Sequence, residues 1–304
     1  MSGKLWGAFI ALIVLTQTSV AGHVERRQLT SNALSRDLTY LVYVPDGYQE
    51  HSESLPVLYL LHGAGGDENS WVTDGDIIET ADTLIAAGAI PPTLIVMPGC
   101  RACWWIDGAK DKAETAFFTE LEPHVKSNFR TVVGRSGRLI AGLSAGGYGA
   151  LRYALKYPER FAAAAALSPA IYADLPPDKS AARRQPPFLD AGGAFDPATW
   201  KALNYLTILP AYLGQPARVP IYFVSGDKDD YGIARETTVA FNQLNARQPA
   251  LTELRLVDGG HSWAVWSRAI GDAMRYMYGF VPKPKPVARA LTQPVLRATT
   301  TTLR

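Results

Sequence analysis

Short apolar runs alternate with stretches of helical periodicity along most of the chain. Continuous apolar runs of about four to eight residues are typical of strands that are buried on both faces of a parallel sheet. The sequence predicts such strands at 55–61, 93–97, 138–141, 161–168, 219–225 and 251–257. Apolar residues at helical spacing predict helices at 77–87, 114–129, 145–157, 233–245 and 264–278. This alternation predicts an α/β fold with a mostly parallel central sheet and helices on both faces.

Three predicted elements need more than a simple periodicity. Alanine fills most of residues 161–168 and on its own favours a helix, but the neighbouring elements require a strand there. Pro123 lies within the predicted helix 114–129, either near a kink or in the later turns of the helix, because proline has no backbone N–H to donate. Residues 28–44 first mix and then alternate polar and apolar positions, which predicts an antiparallel hairpin at one edge of the sheet.

Two segments break the alternation of strands and helices. Residues 170–218 contain two Pro-Pro pairs and a Gly-Gly pair, with one predicted helix at 198–206. Long insertions in compact domains are often lids, so we expect this segment to lie above the sheet and to cover part of an active site. Residues 282–304 are rich in Pro, Arg and Thr and poor in apolar residues, which predicts a disordered tail.

The N-terminus has the order of a secretory signal peptide: a positive charge, an apolar run and a small-residue cleavage site. Lys4 supplies the charge, the apolar run 5–15 is too short to span a bilayer, and residues 19–21 (Ser-Val-Ala) are the predicted cleavage site. We therefore expect residues 1–21 to be removed and the protein to be periplasmic or secreted. A retained membrane anchor is the alternative. The sequence has no second long apolar segment, so we expect no stable membrane span after signal removal.

Length and composition restrict the domain organisation and the partners. With 304 residues, of which 47% are hydrophobic, the chain can bury one large core, and we expect a single domain at 22–281. The formal net charge is only +2 and the sequence has no basic block, so a nucleic-acid partner is not expected. The sequence leaves the oligomeric state open.

The two cysteines, Cys100 and Cys103, have Cys-x-x-Cys spacing and allow three interpretations. A structural disulfide fits an exported chain and is the preferred one. Two free thiols are the second interpretation. A redox-active pair is the third, and it is disfavoured because this pair is not clearly at the start of a helix. A zinc site would need further ligands, and no other Cys or His lies close in sequence.

The central motif of the chain is Gly-x-Ser-x-Gly, with Ser144 between Gly142 and Gly146. A predicted strand precedes it and a predicted helix follows it, which is the context of a nucleophile elbow. In such a turn the strained backbone lifts the serine hydroxyl clear, and glycines are needed because side chains would collide with the neighbouring strand and helix. An ordinary glycine-rich turn is the alternative, so the interpretation depends on partner residues downstream.

A nucleophilic serine needs a base, and the base needs a carboxylate to orient it. Of the five histidines, only His261 lies on a loop directly after a late predicted strand. The loop after the preceding strand carries three acids, Asp227, Asp229 and Asp230, and each is a candidate by position. The chain order Ser144, Asp, His261 is the order of α/β-hydrolases. A structural role for His261 is the alternative.

The tetrahedral intermediate of acyl transfer carries an oxyanion, and backbone N–H groups must already point at it. We predict that one donor is Ala145, which follows the nucleophile. The other is Ala64, in the glycine-rich loop that follows an early strand. A simple glycine turn is the alternative for residues 63–66. His62 is expected to shape this loop rather than to take part in the reaction.

Four tryptophans near these motifs are candidates for substrate binding. Trp104 and Trp105 lie at the carboxyl end of a predicted strand, where ligands bind in open α/β sheets. They either wall an acyl or aromatic pocket or are core residues beneath a loop. Trp71 and Trp263, which end the oxyanion-loop motif and the histidine motif, are also predicted to bind substrate.

Together these motifs resemble the esterase D-type branch of the α/β-hydrolases, often called the "putative esterase" family. The resemblance covers about residues 28–280 and rests on the motifs at 60–71, 96–99, 142–147, 225–229 and 259–263. The family includes S-formylglutathione hydrolases, feruloyl esterases, siderophore esterases and the antigen 85 mycolyltransferases. It implies the α/β-hydrolase fold and oxyanion donors at Ala64 and Ala145. It also implies Asp229 as the triad acid, because the family places its acid at the fourth position of a Gly-x-x-Asp turn.

The residues and the resemblance support three hypotheses. The first is an exported serine carboxylic ester hydrolase that acts through Ser144, His261 and Asp229 and an acyl-enzyme intermediate. The second is an acyltransferase of the mycolyltransferase type, in which a sugar or lipid hydroxyl replaces water. The third is a binding module that keeps the fold without catalysis, and the complete set of candidate residues argues against it. The expected substrate is a small-molecule, glycan or lipid ester, and this chemistry implies no cofactor and no metal.

Overall fold

A computed structural model describes residues 21–101, 103–109 and 111–282. Except for Ala21, the predicted signal peptide lies outside the described residues, and so does the predicted tail beyond Pro282. Among the helices that the structure describes, none combines the length and the apolar content needed to cross a membrane.

The described chain forms one eight-stranded sheet. Its strands are β1 (His23–Ser31), β2 (Arg36–Val44), β3 (Val57–Leu61), β4 (Leu94–Pro98), β5 (Arg138–Leu143), β6 (Ala163–Leu167), β7 (Ile221–Gly226) and β8 (Thr252–Val257). They lie in the order β1-β2-β4-β3-β5-β6-β7-β8. The β1–β2 and β2–β4 pairs are antiparallel, and every pair from β4 to β8 is parallel. The predicted edge hairpin and the predicted mostly parallel sheet are thus confirmed.

Helices cover both faces of the sheet. They are α1 (Ser70–Thr73), α2 (Ile77–Ala86), α3 (Ala113–Ala116), α4 (Glu122–Asn128), α5 (Ala145–Lys156), α6 (Pro197–Leu203), α7 (Tyr205–Gly214), α8 (Ile233–Asn245) and α9 (Trp263–Tyr278). Apolar side chains of α1, α2 and α9 join the core on one face, and those of the other helices join the core on the opposite face. Both faces of the central strands are therefore buried, which explains their continuous apolar runs.

The alanine-rich segment is a strand, as its neighbours require. Residues Ala163–Leu167 pair with β5 on one side and β7 on the other, and all five are buried. Ala164 and Ala166 face the core under α5, whereas Ala163 and Ala165 face the core under α9. Because alanine is small, both helices pack close to this strand, and sheet pairing overrides the helix propensity of alanine.

The predicted helix 114–129 is interrupted rather than continuous. A single wide π-helical turn, Phe117–Leu121, separates α3 from α4. The Glu122 N–H donates to the carbonyl of Phe117, five residues earlier, instead of four. Pro123 then occupies the first turn of α4, where a missing N–H costs no intrahelical hydrogen bond. The predicted kink is therefore a π-turn that lies directly before the proline.

The insertion predicted at 170–218 contains two helices where the sequence predicted one. The predicted helix 198–206 divides at Asn204, where α6 ends and α7 begins. The Asn204 side chain accepts from the Leu206 N–H at 3.2 Å, so it caps α7. The Asp196 carboxylate caps α6 in the same way, through the Ala198 N–H at 2.9 Å.

The start of the described chain is fixed to the body of the domain. The backbone N–H of Gly22 donates to Asp82 Oδ1 on α2 at 3.0 Å. The Tyr43 hydroxyl on β2 donates to the same oxygen at 2.6 Å. This shared acceptor joins the chain that enters β1 to α2.

Candidate active site

Ser144 lies in a sharp turn between β5 and α5, at the carboxyl edge of the sheet. Its φ of 52° and ψ of −114° are unusual for a residue with a side chain. A Cβ at Gly146 would overlap the carbonyl oxygen of Leu61 and lie 2.6 Å from that of His62. The turn therefore packs so closely on the neighbouring strand that only glycine fits there. This is the geometry of a nucleophile elbow.

His261 joins Ser144 to an aspartate. It lies in the loop between β8 and α9, with Nε2 at 2.9 Å from Ser144 Oγ and Nδ1 at 2.7 Å from Asp229 Oδ2. A carboxylate can only accept a hydrogen bond, so Nδ1 carries the proton and Nε2 is free to accept from the serine hydroxyl. The structure thus brings together, from three separate loops, the residues predicted to be the nucleophile, the base and the orienting acid.

The three candidate acids have different environments. The side chain of Asp229 is fully buried, and its second oxygen accepts from the Tyr231 N–H at 3.0 Å. Asp227 is exposed and accepts from the Gly259 N–H at 3.1 Å. Asp230 is exposed and pairs with Lys179 at 2.6 Å. Among these three, Asp229 is the acid that contacts His261.

Two aromatic residues that the sequence analysis did not select hold the imidazole of His261. Tyr231 and Trp266 meet the ring edge-to-face, with centroids at 5.1 and 4.9 Å. The Trp266 indole in turn donates to Ser168 Oγ at 3.0 Å. In the sequence Trp266 belongs to the apolar stripe of α9 and looks like a core residue. Its position five residues after His261 is the sequence signal that could have identified it as a neighbour of the imidazole.

Ala145, one predicted oxyanion donor, follows Ser144 directly, and Ala64, the other, lines the same cleft as Ser144. Ala145 is the first residue of α5, where a backbone N–H has no intrahelical acceptor. Ala64 lies in a tight turn closed by the hydrogen bond from the Gly66 N–H to the Gly63 carbonyl at 3.2 Å. A Cβ at Gly63 would lie 3.3 Å from Ser144 Cβ and 2.6 Å from Leu143 Cδ1. Glycine at this position allows the turn to approach the serine.

His62 is buried beneath this turn. Its Nδ1 donates to the Gly63 carbonyl at 2.7 Å, and its Nε2 accepts from the Cys100 N–H at 3.0 Å. Burial lowers the pKa of His62 below its ordinary value, so the ring is neutral at neutral pH. It contacts the turn and lies away from Ser144 Oγ, which agrees with the loop-shaping role predicted for it.

A cleft of about 370 Å³ opens over Ser144 and His261. Trp104 and Trp263 line it, as predicted. Trp71 and Trp105 do not: they are core residues whose indole N–H groups donate to the carbonyls of Leu61 at 3.1 Å and His62 at 3.0 Å. The insertion forms the opposite wall through Ala170, Tyr172, Ser180 and Ala181.

Cys100 and Cys103 form a disulfide, and both residues are buried. This outcome is the first of the three interpretations of the Cys-x-x-Cys pair. Within the described residues, no cluster of three or more His, Cys, Asp or Glu side chains has the arrangement of a metal site.

Sequence and structure comparisons relate the chain to known esterases. An esterase of Mycobacterium tuberculosis is 38% identical over 133 residues, which is 42% of this chain but only 28% of that relative. The acetyl esterase of Caldicellulosiruptor saccharolyticus is 26% identical over 233 residues, 74% of this chain and 84% of its own.

Solved structures show the same fold. A ferulic acid esterase superposes with a TM-score of 0.73 at 24% identity and covers 86% of this chain and 99% of its own. The S-formylglutathione hydrolase of Agrobacterium tumefaciens superposes with a TM-score of 0.68 at 20% identity, over 88% and 99% of the two chains. The architecture is therefore that of the α/β-hydrolases. The family model described as "Putative esterase" matches residues 31–277, and the chain belongs to this family.

Proposed function

We propose that the protein is an exported serine carboxylic ester hydrolase. The observation that carries this proposal is the pair of hydrogen bonds that links Ser144, His261 and Asp229 at the floor of an open cleft. A satisfied structural histidine does not require a serine in a strained elbow beside it. Strained backbone of this kind is found mainly at functional sites.

In the proposed acylation step, Ser144 Oγ attacks the ester carbonyl while His261 Nε2 takes the hydroxyl proton. The carbonyl oxygen becomes an oxyanion, and the N–H groups of Ala64 and Ala145 donate to it. The C–O bond to the alcohol then breaks, and the imidazolium returns its proton to the leaving oxygen. Asp229 holds the ring orientation throughout and stabilises the transient positive charge.

In the proposed deacylation step, water takes the place of the alcohol. His261 removes a proton from the water, the hydroxide oxygen bonds to the acyl carbon, and a second oxyanion forms in the same position. Its collapse breaks the bond to Ser144 and releases a carboxylic acid, while His261 returns the proton to the serine. The same groups therefore serve both halves of the reaction, so a single cleft suffices.

We assign the substrate class as esters of small carboxylic acids. Two relatives are named after the acid that their substrates contain: acetyl esterase after a small aliphatic acid, and ferulic acid esterase after an aromatic one. In this chain the cleft has aromatic walls at Trp104, Tyr172, Tyr231 and Trp263, which suit an apolar or aromatic acyl group. Both relatives carry the names of hydrolases, which favours water over a sugar or lipid hydroxyl as the acyl acceptor.

Export rests on the N-terminal sequence, which has the charge, apolar run and cleavage site of a signal peptide. The disulfide is in keeping with an oxidising compartment. The test is N-terminal sequencing of the protein secreted by a bacterial host that expresses the whole chain. A mature protein that begins at Gly22 is expected, and an intact N-terminus on cell-bound protein would contradict export.

The activity is tested with p-nitrophenyl acetate, butyrate and octanoate on protein that begins at Gly22. We expect Ser144-dependent turnover, with a loss of at least about 10³-fold in kcat/KM for Ser144→Ala, because the nucleophile cannot be replaced. A fluorophosphonate probe should label the wild-type protein at Ser144 and leave the variant unlabelled. Ser267→Ala, on α9, is the matched serine control and should keep both turnover and labelling. Equal turnover by Ser144→Ala and the wild type would refute the proposal.

A further inference from the structure

The loop that carries the disulfide is held in a strained conformation. Among the described residues with side chains, seven have positive φ, and three of them, Arg101, Trp104 and Trp105, lie in this loop. Their φ values are 56°, 49° and 59°. Such conformations persist only when the surrounding structure imposes them. The bond between Cys100 and Cys103 spans the first of these residues and ends directly before the other two, so it is the covalent restraint on this shape.

This loop contacts His62 from two directions. The Cys100 N–H donates to His62 Nε2 at 3.0 Å, and the Trp105 indole N–H donates to the His62 carbonyl at 3.0 Å. The two rings also meet edge-to-face, with centroids 5.0 Å apart. On its outer side the loop is held by Arg36, whose guanidinium donates to the Cys100 carbonyl at 3.2 Å.

His62 connects the disulfide loop to residues 63–66, which we call the oxyanion turn. Because Nε2 accepts from Cys100, the ring proton lies on Nδ1, and Nδ1 donates to the Gly63 carbonyl at 2.7 Å. That carbonyl also accepts from the Gly66 N–H and so closes the turn around Ala64. The Cys100 N–H, the His62 ring and the Gly63 carbonyl therefore form one connected chain of hydrogen bonds from the disulfide loop to the turn.

We propose that the Cys100–Cys103 disulfide acts through Trp105 and His62 as a positioning element for the Ala64 oxyanion donor. The proposal rests on the proposed function, because it concerns the same oxyanion. Without the disulfide, the strained residues relax toward negative φ, the two contacts to His62 shift, and the turn loses its fixed distance from Ser144. A donor that is displaced by a fraction of an ångström stabilises the transition state less, while ground-state binding of the ester changes little.

The test compares Cys100→Ala/Cys103→Ala and Trp105→Phe with the wild type on p-nitrophenyl butyrate. Each variant is expected to lose about tenfold in kcat with KM within about twofold, a fraction of the loss known for removal of a whole oxyanion donor. Trp105→Phe keeps the disulfide and an aromatic ring, and removes the indole N–H together with the smaller ring of the indole. It therefore decides the question if the double variant fails to fold.

Trp200→Phe is the matched control. The Trp200 indole is buried and donates to the Asp174 carbonyl at 2.9 Å, the same kind of bond, but it lies in the insertion and away from the oxyanion turn. We expect its Tm to fall as in Trp105→Phe and its kcat to stay within about twofold, since its hydrogen bond does not reach the oxyanion. Unchanged kcat in Trp105→Phe and in the folded double variant would overturn this inference alone. Absence of Ser144-dependent turnover in the wild type would overturn the proposed function with it.

Discussion

The floor and the roof of the cleft are held in different ways. We define the floor as residues 62–66, the elbow residues 142–146, Asp229 and His261, and the roof as the insertion 170–218. The floor depends on backbone contacts that only one residue type allows and on buried hydrogen bonds. The roof depends on side-chain packing, on hydrogen bonds made by side chains and on an exposed ion pair. The comparison indicates that the proposed chemistry requires particular residues at particular positions. The shape of the substrate cleft, in contrast, depends on side chains that other side chains of similar size could replace.

The roof is attached to the body of the domain through aromatic rings, an ion pair and hydrogen bonds, among them the bond from the Tyr148 hydroxyl to the Leu203 carbonyl at 2.5 Å. Phe188 and Trp200 of the insertion pack against each other at 4.9 Å between centroids, and both meet Tyr148 on α5. Lys179 reaches across to Asp230 at 2.6 Å and lies over the Tyr231 ring at 4.8 Å. Many combinations of large side chains could fill the same space. The roof therefore leaves no motif in the sequence.

The largest expected effect separates Asp229, on the floor, from the two acids next to it in the sequence. Asp229→Asn should lower kcat by about 10³- to 10⁴-fold, because an amide favours the wrong tautomer of His261. Asp227→Asn and Asp230→Asn are the matched controls and should stay within about threefold, since neither acid contacts the imidazole. Steady-state kinetics on p-nitrophenyl butyrate measure all three. A loss in Asp227→Asn equal to that in Asp229→Asn would break the assignment of the acid.

The second effect tests whether the floor tolerates a side chain at position 146, where the backbone lies against the Leu61 carbonyl. Gly146→Ala should lower the free energy of unfolding by about 3–5 kcal/mol or prevent folding, because its methyl group would overlap the Leu61 carbonyl. Gly214→Ala, at the end of α7, has open space around the added Cβ and should change stability by less than about 1 kcal/mol. Urea unfolding measures both, and equal stabilities would argue against a backbone-limited floor.

The third effect concerns the pH dependence of stability. Burial lowers the pKa of His62 in the folded protein below the unfolded value of about 6.5. Below that pH, His62 therefore binds a proton in the unfolded chain but remains neutral in the folded chain until the pH approaches its lower pKa. The stability is complete above about pH 6.5 and falls by up to about 1.4 kcal/mol per unit as the pH decreases toward the folded pKa. His62→Gln should flatten the curve of unfolding free energy between about pH 5 and 7, as measured by urea unfolding at several pH values. A wild-type slope in His62→Gln would show that another group controls it.

The smallest effect belongs to the roof. Lys179→Ala removes an exposed ion pair, which is worth roughly 0–1 kcal/mol, so KM should rise by about twofold with kcat unchanged. Lys228→Ala removes the exposed pair with Asp258, away from the roof, and should leave KM unchanged. Added salt should move the wild type toward Lys179→Ala, because salt screens exposed charges. A loss of kcat in Lys179→Ala would mean that the roof takes part in the chemistry.

The same difference explains what the sequence predicted. Continuous apolar runs located the strands because both faces of the sheet are buried, and the elbow was located because its glycines are sterically required. The choice among three acids depends on a few ångströms of loop geometry, which no local pattern records. The family resemblance selected Asp229, the acid that contacts His261 in the structure.

Local sequence patterns were least informative where a side chain could lie either in the cleft or in the core. Trp104 and Trp105 are adjacent, but one lines the cleft and the other donates to the His62 carbonyl in the core. Their consecutive positive φ values decide this, and such values are set by the disulfide loop rather than by tryptophan itself. The division of the predicted helix 198–206 at Asn204 likewise depends on a cap that is visible only in three dimensions.

The contact between Gly22 and Asp82 bears on the maturation of the protein. In the unprocessed chain it is a hydrogen bond from a neutral peptide N–H. If the leader is cut after Ala21, as we propose, the same nitrogen becomes a free α-ammonium group beside a half-buried carboxylate. The bond then becomes an ion pair, and the added Coulomb attraction at such a partly exposed site contributes up to about 1 kcal/mol. Proteolysis would thus strengthen a tertiary contact that the precursor already makes, and the mature protein would be slightly more stable than its precursor.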